Sequence, residues 1–418
     1  MAEQTSGLPL AEALARLLQR FPGPLQSLGV ERLPLPRALE RVLAEPLLAP
    51  AAVPGFRAAV MDGYALRSAD LAQHPRRQLP LLGCSTAGTP WPQPLERPGV
   101  VRIMTGAAVP EGADAVVPQE LVTCRSLSDG SAAVVIEAAV QAGQWIRPIG
   151  EEATAGALLQ KVGSLLGPVE IARAIGCGLR EAVVQRRPRV ALLISGSELR
   201  PAGEPLGPGQ IHDSNGPLLA ALLQRLGVAL VERRWVDDDP TRLEQALLAM
   251  ARRCDVLIST GGVSVGEGDH VRPLLERLGR LEFWRVLLKP GRPFACGELA
   301  GVAFFGLPGN PVSATVTFLQ LVWPVLQQLE GREPRAWPRL RVRLREPLQR
   351  RAGRPELLRA QLESDGAGNA WARVCGAQGS ARLGSLLGAD LLLELNADTT
   401  SLPAGAAVMA QLLRQSLL

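Results

Sequence analysis

Apolar residues recur along the chain with two different spacings, and the spacing changes from one region to the next. Near the start, the leucines between 10 and 18 follow helical spacing and predict a short amphipathic helix, with a second helical stretch around 37–44. Between 53 and 150, short apolar runs separated by glycine, proline and aspartate predict strands. Helical segments are predicted again between 151 and 183, so the strand-rich block interrupts a helical region.

Strands and helices are predicted to alternate through the middle of the chain. The predicted strands are 190–195, 229–236, 255–259, 282–288 and 302–305. The predicted helices are 216–226, 240–252, 270–278 and 311–329. Alternation of units of this length predicts a doubly wound, mainly parallel sheet. After residue 331, basic strand-like segments (LRVRL, ADLLLEL, AAVMAQLL) predict a small all-β domain.

Length and composition are those of a folded multidomain protein. The 418 residues exceed what one core usually organises, so two to four domains are expected. The most apolar stretch, 312–326, is shorter than the roughly 20 residues of a membrane span and contains Gln320 and Pro324. The N-terminal segment lacks the basic start and continuous apolar core of a secretory signal. A cytoplasmic location without membrane contact is therefore expected.

The charge pattern favours anionic small molecules. The net charge is +5, but no Lys and Arg run interleaved with aromatics is present, so nucleic-acid binding is not expected. The six cysteines are scattered, which argues against a zinc site or a disulfide framework. Lys161 and Lys289 are the only lysines; codon bias explains most of this scarcity. A lysine retained inside a glycine-proline turn, as Lys289 is, is nevertheless a candidate for a specific role.

Two glycine-containing strings follow predicted strands, at the edge where open α/β sheets bind ligands. In STGGVSVGEGD (259–269), the glycines let successive N–H groups face one anion. Asp269 then caps the next helix, binds a cation or accepts from a ligand. In LPGNPVS (307–313), Pro311 suits a first helical turn, whose free N–H groups favour an anion. Each string alone is about equally well explained as a purely structural turn or helix start.

Two further strings supply charged groups. KPGRP (289–293) places Lys289 and Arg292 around a rigid turn, where they would hold a small tetrahedral oxyanion or a phosphate. The alternative is a surface turn with solvated charges. In ISGSEL (194–199), Glu198 is placed to accept from a heterocycle or to help hold a metal. The acidic run 237–239 adds carboxylates, and at least one of them is expected to cap the following helix.

These observations predict an enzyme that holds an anionic, nucleotide-like substrate at one edge of an α/β sheet. The sequence contains no Walker-type loop, no dinucleotide-binding fingerprint and no serine nucleophile elbow. Three other strings, MDGYA (61–65), RIMTG (102–106) and IGEE (149–152), pair glycine with polar residues, and each alone is weak support.

Five strings in one order carry a resemblance to a known family: MDGYA, RIMTGAAVPEGADAVV, TGGVSVGEGDH, LKPGRP and LPGNPVSA. Together they resemble the molybdopterin molybdenumtransferase family, which includes MoeA and the E domain of gephyrin, from about residue 8 to the C-terminus. The resemblance implies an α/β and β multidomain fold. Its expected domains are a split helical or linker domain (28–52 and 151–183), a β-rich inserted domain (53–150), a doubly wound α/β domain of the molybdopterin-binding type (8–27 and 184–331) and a C-terminal β-barrel (332–418).

The resemblance also implies a reaction and partners. Such enzymes take adenylylated molybdopterin and molybdate, insert molybdenum into the dithiolene and release AMP, usually with Mg²⁺. They are typically elongated homodimers with the site between subunits. Molybdopterin adenylyltransferase and apo-molybdoenzymes are the protein partners it suggests.

A set of site residues follows from the same resemblance, by motif position. The implied catalytic residues are Asp62, Thr105, Glu198, Asp238, Asp269 and Lys289, and the implied metal ligands among them are Glu198, Asp238 and Asp269. The implied cofactor-binding residues are Gly261, Gly262, Ser264, Arg285, Lys289, Arg292, Pro308, Pro311, Ser313, Arg359 and Ser380. The implied molybdate-holding set is Lys289, Arg292, Ser313, Arg359 and Ser380.

Three positions depart from the family pattern. Arg285 stands where lysine is usual, and Glu152 where a Gly-Glu-Asp string normally ends in aspartate. Both keep the charge but change reach and donor geometry. Ser197 replaces the aspartate of the usual Thr-Gly-Asp-Glu-Leu turn and removes a carboxylate. Two other functions therefore stay open: a molybdopterin adenylyltransferase, which would turn over ATP, and a non-catalytic cofactor carrier or scaffold, which would not consume adenylate.

Overall fold

Two compact units make up the chain. The computed structural model describes residues 7–74, 77–262, 270–334 and 336–413. One unit comprises residues 1–31 and 185–418, and we call it the first unit; the second unit comprises residues 32–184. No helix within the described ranges is long and apolar enough to cross a membrane.

The predicted N-terminal helix is present and belongs to the first unit. The chain begins with β1 (Leu8–Pro9) and α1 (Leu10–Arg20). Ala13 and Leu17 are buried on the apolar face of α1, as spacing by four residues requires. Arg20 forms ion pairs of 2.7 Å with Glu282 and 2.5 Å with Glu298. The helix is thereby fixed against the strands that carry these two glutamates.

Short strands dominate the second unit. Its strands, including two that cross its boundaries, are β2 (Val30–Pro34), β3 (Leu47–Leu48), β4 (Ala58–Ala59), β5 (Gly63–Leu66), β6 (Gln78–Ser85), β7 (Val100–Ile103), β8 (Ala115–Pro118), β9 (Val122–Ser126), β10 (Ala132–Ile136), β11 (Ile146–Arg147), β12 (Leu158–Gln160) and β13 (Glu181–Gln185). Its helices are α2 (Ser68–Gln73) and α3 (Pro168–Gly176). Six strands form one sheet in the order β8-β5-β7-β6-β10-β9, within the predicted strand-rich block.

The segments that flank this sheet contain less helix than the sequence predicts. The prediction of a helix around 37–44 is wrong: a single 3₁₀ turn spans Leu35–Arg37, and Leu43 forms an isolated β-bridge with Val184. Between 151 and 183, all of which the structure describes, α3 is the one helix. Pairing between distant segments outweighs the helix propensity of a leucine- and arginine-rich stretch.

A doubly wound α/β domain occupies the middle of the first unit, which confirms the predicted fold class. Its strands are β14 (Arg189–Ser195), β15 (Leu199–Arg200), β16 (Ile211–His212), β17 (Ala229–Val236), β18 (Val256–Thr260), β19 (Gly279–Leu287), β20 (Pro293–Leu299) and β21 (Val302–Leu307). Its helices are α4 (Asn215–Arg225), α5 (Pro240–Ala251), α6 (Val271–Leu278), α7 (Pro311–Thr317) and α8 (Trp323–Leu329). The sheet order is β1-β19-β20-β21-β18-β14-β17. Successive residues such as Leu192 and Leu193 enter separate apolar clusters on the two faces, so helices cover both.

Two details of this domain differ from the sequence prediction. Strand β20 is not predicted, and it runs antiparallel to both of its neighbours, β19 and β21. The predicted helix over 311–329 is present but contains a π-helical segment, Phe318–Val322, between α7 and α8. Pro324 explains this segment, because it cannot donate the backbone hydrogen bond to Gln320 that an α-helix would make.

The last part of the first unit is a closed β-barrel, as predicted. Its strands are β22 (Arg339–Leu344), β23 (Leu348–Gln349), β24 (Glu356–Ser364), β25 (Ala370–Val374), β26 (Leu391–Leu395), β27 (Ser401–Leu402) and β28 (Ala407–Leu412). Five of them close the barrel in the order β22-β25-β24-β26-β28. Val342, Leu358, Leu391 and Ala410 fill its interior.

Candidate functional site

Strands β14, β18 and β21 end side by side, and the turn after β18 is packed against the end of β14. Gly261 has a φ of +87°, and a Cβ there would lie 2.2 Å from Ser195 O. Gly262 has a φ of +62°, so both positions favour glycine. The rest of this predicted string, including Ser264 and Asp269, lies outside the described residues.

Asn215, at the start of α4, connects the turns after β18 and β21, and it is not among the residues predicted from the sequence. Its Nδ2 donates to Thr260 Oγ1 at 2.8 Å and to Gly309 O at 2.7 Å. Thr260 Oγ1 in turn donates to Pro308 O at 3.1 Å. Asn215 Oδ1 is buried and accepts no hydrogen bond within the described part of the chain. The polar run Asp-Ser-Asn-Gly at a predicted helix start is the sequence signal that could have identified it.

The acidic run after β17 contributes both a helix cap and a site carboxylate. Asp239 accepts from Arg242 N at 2.8 Å and caps α5, which confirms the capping prediction for one member of the run. Asp238 accepts from Ser197 N at 2.8 Å, and its own N–H donates to Ser197 Oγ at 3.1 Å. The ends of β14 and β17 are joined by this reciprocal pair. Glu198, which follows Ser197 in the chain, is exposed.

The predicted Lys289 turn is fastened to the first residues of β24. Lys289 N donates to Pro355 O at 3.0 Å, and Lys289 O accepts from Leu357 N at 2.8 Å. Lys289 Nζ lies 2.8 Å from Glu356 Oε1, and Glu356 Oε2 lies 3.1 Å from Arg350 Nε. The Glu356 side chain is 2% exposed, whereas that of Lys289 is 50% exposed. One buried carboxylate thus connects the α/β domain to the barrel.

Arg359 brings a buried guanidinium to the same region. Its side chain is fully buried. Nε donates to Ser385 Oγ at 3.1 Å and Nη2 to Gly379 O at 3.4 Å. Nη1 has no hydrogen-bond partner among the described residues. Burial lowers the pKa of Arg359; it also lowers the pKa of Arg354, to which the nearby charge of Arg292 contributes further.

The five cations Lys289, Arg292, Arg350, Arg354 and Arg359, with the carboxylate Glu356, are called the basic cluster below. Glu356 pairs with two of these cations and is electrostatically coupled to two others. An excess of buried or half-buried positive charge is costly in a protein interior unless an anion compensates it. The arrangement is therefore suited to a small anion with more than one negative charge.

Ser380 meets the start of α7. Asn310 Nδ2 donates to Ser380 Oγ at 3.2 Å, and Val312 N donates to Ser380 O at 3.1 Å. The Val312 N–H is thus bound to the barrel, although the helix start predicts free N–H groups here. Pro311 occupies the first turn of α7, and Ser313 is 4% exposed. The structure therefore brings Ser380 to the 307–313 string.

Two of the implied catalytic residues lie in the second unit, where they contact each other. Asp62 Oδ1 accepts from both Thr105 N and Thr105 Oγ1 at 2.7 Å. The Thr105 hydroxyl, followed by its N–H, lowers the pKa of Asp62. Of the departures, Glu152 pairs with Arg173 at 2.9 Å in this unit, and Arg285 of the first unit lies in β19 opposite Pro293.

Comparison with known families covers most of the chain. The model of the MoeA N-terminal region (domain I and II) matches residues 8–178. That of the probable molybdopterin binding domain matches 191–328, and that of the MoeA C-terminal region (domain IV) matches 341–413. The fold and site thus define a multidomain protein with the MoeA architecture.

Similarity to individual proteins agrees. The molybdopterin molybdenumtransferase of Haemophilus influenzae is 39% identical over 326 residues, covering 78% of each chain. Gephyrin of Dictyostelium discoideum is 31% identical, and the match covers 97% of this chain and 62% of gephyrin. The crystal structure of the molybdopterin biosynthesis MoeA protein from Pyrococcus horikoshii OT3 is 27% identical with a TM-score of 0.81, covering 98% of this chain and 100% of that one. The chain belongs to the molybdopterin molybdenumtransferase (MoeA) family, which confirms the resemblance.

Proposed function

We propose that this protein inserts molybdenum from molybdate into adenylylated molybdopterin and releases AMP. The basic cluster is the observation that carries the proposal, because five cations and one carboxylate suit a dianionic tetrahedral oxyanion. The name of the Haemophilus influenzae relative, molybdopterin molybdenumtransferase, states for that protein a transfer of molybdenum to molybdopterin. The alternatives of an adenylyltransferase or a carrier are not favoured, because relatives with this name match across most of the chain.

Within the basic cluster, three predicted residues have distinct tasks. Lys289 is half exposed and presents ammonium donors at the mouth of the site. Arg292 and Arg359 offer planar guanidinium groups, whose paired donors match an oxyanion. Arg359 is fully buried and its Nη1 has no partner among the described residues, so its donors are held in one place before the anion arrives. Molybdate held there would react by proximity to the dithiolene rather than by random collision.

The glycine turns are proposed to receive the nucleotide end of the substrate. Gly261 and Gly262 let the backbone approach a phosphate closely, and Asn215 keeps this turn together with the turn after β21. Its buried Oδ1 accepts no hydrogen bond from the described residues and is proposed as the acceptor for an N–H of a heterocycle. The substrate would thus lie along the carboxyl ends of β14, β18 and β21.

Mg²⁺ fits the carboxylates that the structure describes at this edge. The ion usually takes one or two protein carboxylates together with substrate phosphates. Asp238 is held by Ser197, and Glu198 is exposed beside it, so both offer oxygen ligands. Asp269 is the third proposed ligand. A bound Mg²⁺ supplies positive charge that stabilises the adenylate phosphates as their bond breaks.

Assembly and partners are part of the proposal. We infer a homodimer, a cytoplasmic location, and exchange of substrate and product with molybdopterin adenylyltransferase and apo-molybdoenzymes. Asp62 and Thr105 of the second unit are proposed to join the reaction as a hydrogen-bonded pair.

The deciding experiment follows AMP release from adenylylated molybdopterin with Mg²⁺ and molybdate, and reconstitution of an apo-molybdoenzyme. We expect AMP release to depend on molybdate. At limiting molybdate, Lys289→Ala should release less AMP than wild type. Lys161→Ala, at the other lysine of the chain, should release as much AMP as wild type. Substrate binding without AMP release would support a carrier, and ATP turnover would support an adenylyltransferase.

A further inference from the structure

We propose that Glu356 is the positioning residue for Lys289, and that it sets how tightly the basic cluster holds the oxyanion. The inference rests on the proposed function, because it concerns the same anion. Sequence motifs did not suggest it, since Glu356 lies between Pro355 and Leu357 in an unremarkable stretch of β24.

Backbone contacts already fix the position of the Lys289 turn, so Glu356 has a separate task at the side chain. The Lys289 N–H and C=O are bound to Pro355 and Leu357, on either side of Glu356. The lysine stem has four rotatable bonds and is half exposed, so backbone contacts alone would leave Nζ free to point elsewhere. The 2.8 Å contact with Glu356 Oε1 selects one direction for Nζ.

The other side of Glu356 is anchored. Its Oε2 meets Arg350 Nε at 3.1 Å. Arg350 Nη1 donates to Asn396 O at 2.7 Å and Nη2 to Arg354 O at 2.7 Å. The Arg350 side chain is only 7% exposed, so it is held by both burial and hydrogen bonds. Glu356 thus links the half-exposed Lys289 side chain to Arg350, which is held in place in the barrel.

Two effects of this carboxylate on anion binding oppose each other. Its negative charge repels an oxyanion, whereas its contact with Lys289 Nζ orders the ammonium group before the oxyanion binds, so that less conformational entropy is lost on binding. An ammonium has three N–H donors, so pairing with Oε1 leaves two for the oxyanion. The repulsion is reduced because Arg350 neutralises Glu356 from the far side. We therefore expect positioning to outweigh repulsion.

The test compares Glu356→Gln with Glu363→Gln. Glu363 is also on β24 and also bridges two cations, Arg345 at 2.8 Å and Arg373 at 2.7 Å, away from the Lys289 turn. We expect Glu356→Gln to raise the KM for molybdate in AMP release about 10-fold, the usual order for a charge-assisted hydrogen bond, with a smaller change in kcat. Glu363→Gln should change neither constant. An unchanged or lower KM in Glu356→Gln would overturn the proposal.

A double variant separates positioning from a structural role. If Glu356 acts through Lys289, then Glu356→Gln should add little to the KM of Lys289→Met. Effects that multiply independently would show that Glu356 acts on something else, and the proposal would fail. Should Glu356→Gln not fold, Glu356→Asp keeps the charge but withdraws it from Nζ, and an unchanged KM there would also refute the inference.

Failure of the proposed function would look different. Wild-type protein would then release no AMP in response to molybdate, whatever the variants do. Calorimetric titration of wild type and Glu356→Gln with molybdate alone tests the inference in that case. Weaker binding by Glu356→Gln would support it, and equal or tighter binding would refute it.

Discussion

Arg359→Met should change the stability of the protein and its affinity for molybdate in opposite directions. The folded protein buries this guanidinium completely, and burial lowers its pKa, which means that the charged form is disfavoured there. Methionine is unbranched, shorter than arginine by two atoms along the side chain, and carries no charge. The substitution removes the hydrogen bonds to Ser385 Oγ and Gly379 O, the second of which is long at 3.4 Å. Ser385 Oγ keeps its own bond to Arg382 O at 2.7 Å.

The magnitudes favour a neutral or stabilising result in the absence of ligand. Replacing a buried ion pair or triad by apolar residues of similar volume is often neutral or stabilising by about 1–4 kcal/mol, and removing one buried guanidinium avoids the same kind of desolvation cost. Two lost hydrogen bonds to a charged group offset part of that gain. We therefore expect a free energy of unfolding between that of wild type and about 2 kcal/mol above it. For a unit of this size, that corresponds to a midpoint raised by up to about 8 °C.

Anion binding should respond in the opposite direction. Loss of one buried, desolvated cation from a charge pair costs about 2–5 kcal/mol, so we expect affinity for molybdate to fall at least about 30-fold. In thermal melts, molybdate at 100 times the wild-type Kd should stabilise wild type by about 2.7 kcal/mol, and a 30-fold weaker Arg359→Met by no more than about 0.9 kcal/mol. The matched control is Arg373→Met, which removes a barrel arginine that pairs with Glu363 and Glu346 at the surface. It should keep the molybdate response.

Either of two results would refute this prediction. One is a midpoint of Arg359→Met well below that of Arg373→Met without ligand, which would make Arg359 a structural residue. The other is a full molybdate-induced shift in Arg359→Met, which would place the anion elsewhere.

Other predictions concern the sheet edge and the second unit. Gly261→Ala should destabilise the protein by more than about 3 kcal/mol, because the strain of a left-handed φ adds to a 2.2 Å overlap of the new Cβ with Ser195 O. Gly301→Ala, with a similar φ but open space around its Cβ, should cost about 1–2 kcal/mol. Equal melting midpoints of the two variants would contradict this. Asn215→Leu should lower stability by about 2–3 kcal/mol and weaken AMP binding in calorimetry, and unaltered AMP affinity would exclude its binding role. Thr105→Val should raise the pKa of Asp62 in an NMR titration. A carboxyl group whose pKa is depressed in the folded state stabilises the fold at pH values above its unfolded pKa of about 3.9, and this stabilisation is lost as the pH falls. The variant should therefore lose less stability on acidification than wild type. An unshifted pKa of Asp62 in Thr105→Val would contradict the assigned cause.

Local patterns predicted most of the α/β domain. Strand Ala229–Val236 has the predicted bounds, and α5 ends one residue before the predicted end. These elements are specified by their own apolar spacing and by the caps at their ends. The missed strand, Pro293–Leu299, begins with proline and contains Gly297, which depress strand propensity. A Cβ at Gly297 would lie 2.0 Å from Arg280 O, so tight pairing with the neighbouring strand explains the glycine.

The site was predictable only where its residues stand in short strings. Lys289 and Arg292 were found because they flank a rigid turn of unusual composition. Arg350, Arg354 and Glu356 were missed, because a basic barrel sequence rich in arginine gives no local sign of which side chains are buried. Their roles depend on contacts between the Lys289 turn and β24, which are distant in sequence.

Ser197 shows how a departure from the family pattern is accommodated. The aspartate that the resemblance to the family implies at this position would place a second negative charge beside Asp238. Here the Ser197 hydroxyl accepts the Asp238 N–H at 3.1 Å, and the Ser197 N–H is donated to Asp238 Oδ2 at 2.8 Å. Because serine carries no charge, the pair keeps the ends of β14 and β17 joined without repulsion between like charges. Since a carboxylate would add charge to a proposed Mg²⁺ site, serine lowers the attraction for the ion while preserving the position of Asp238. The departure therefore changes the electrostatics of the site more than its geometry, which is compatible with the proposed transferase.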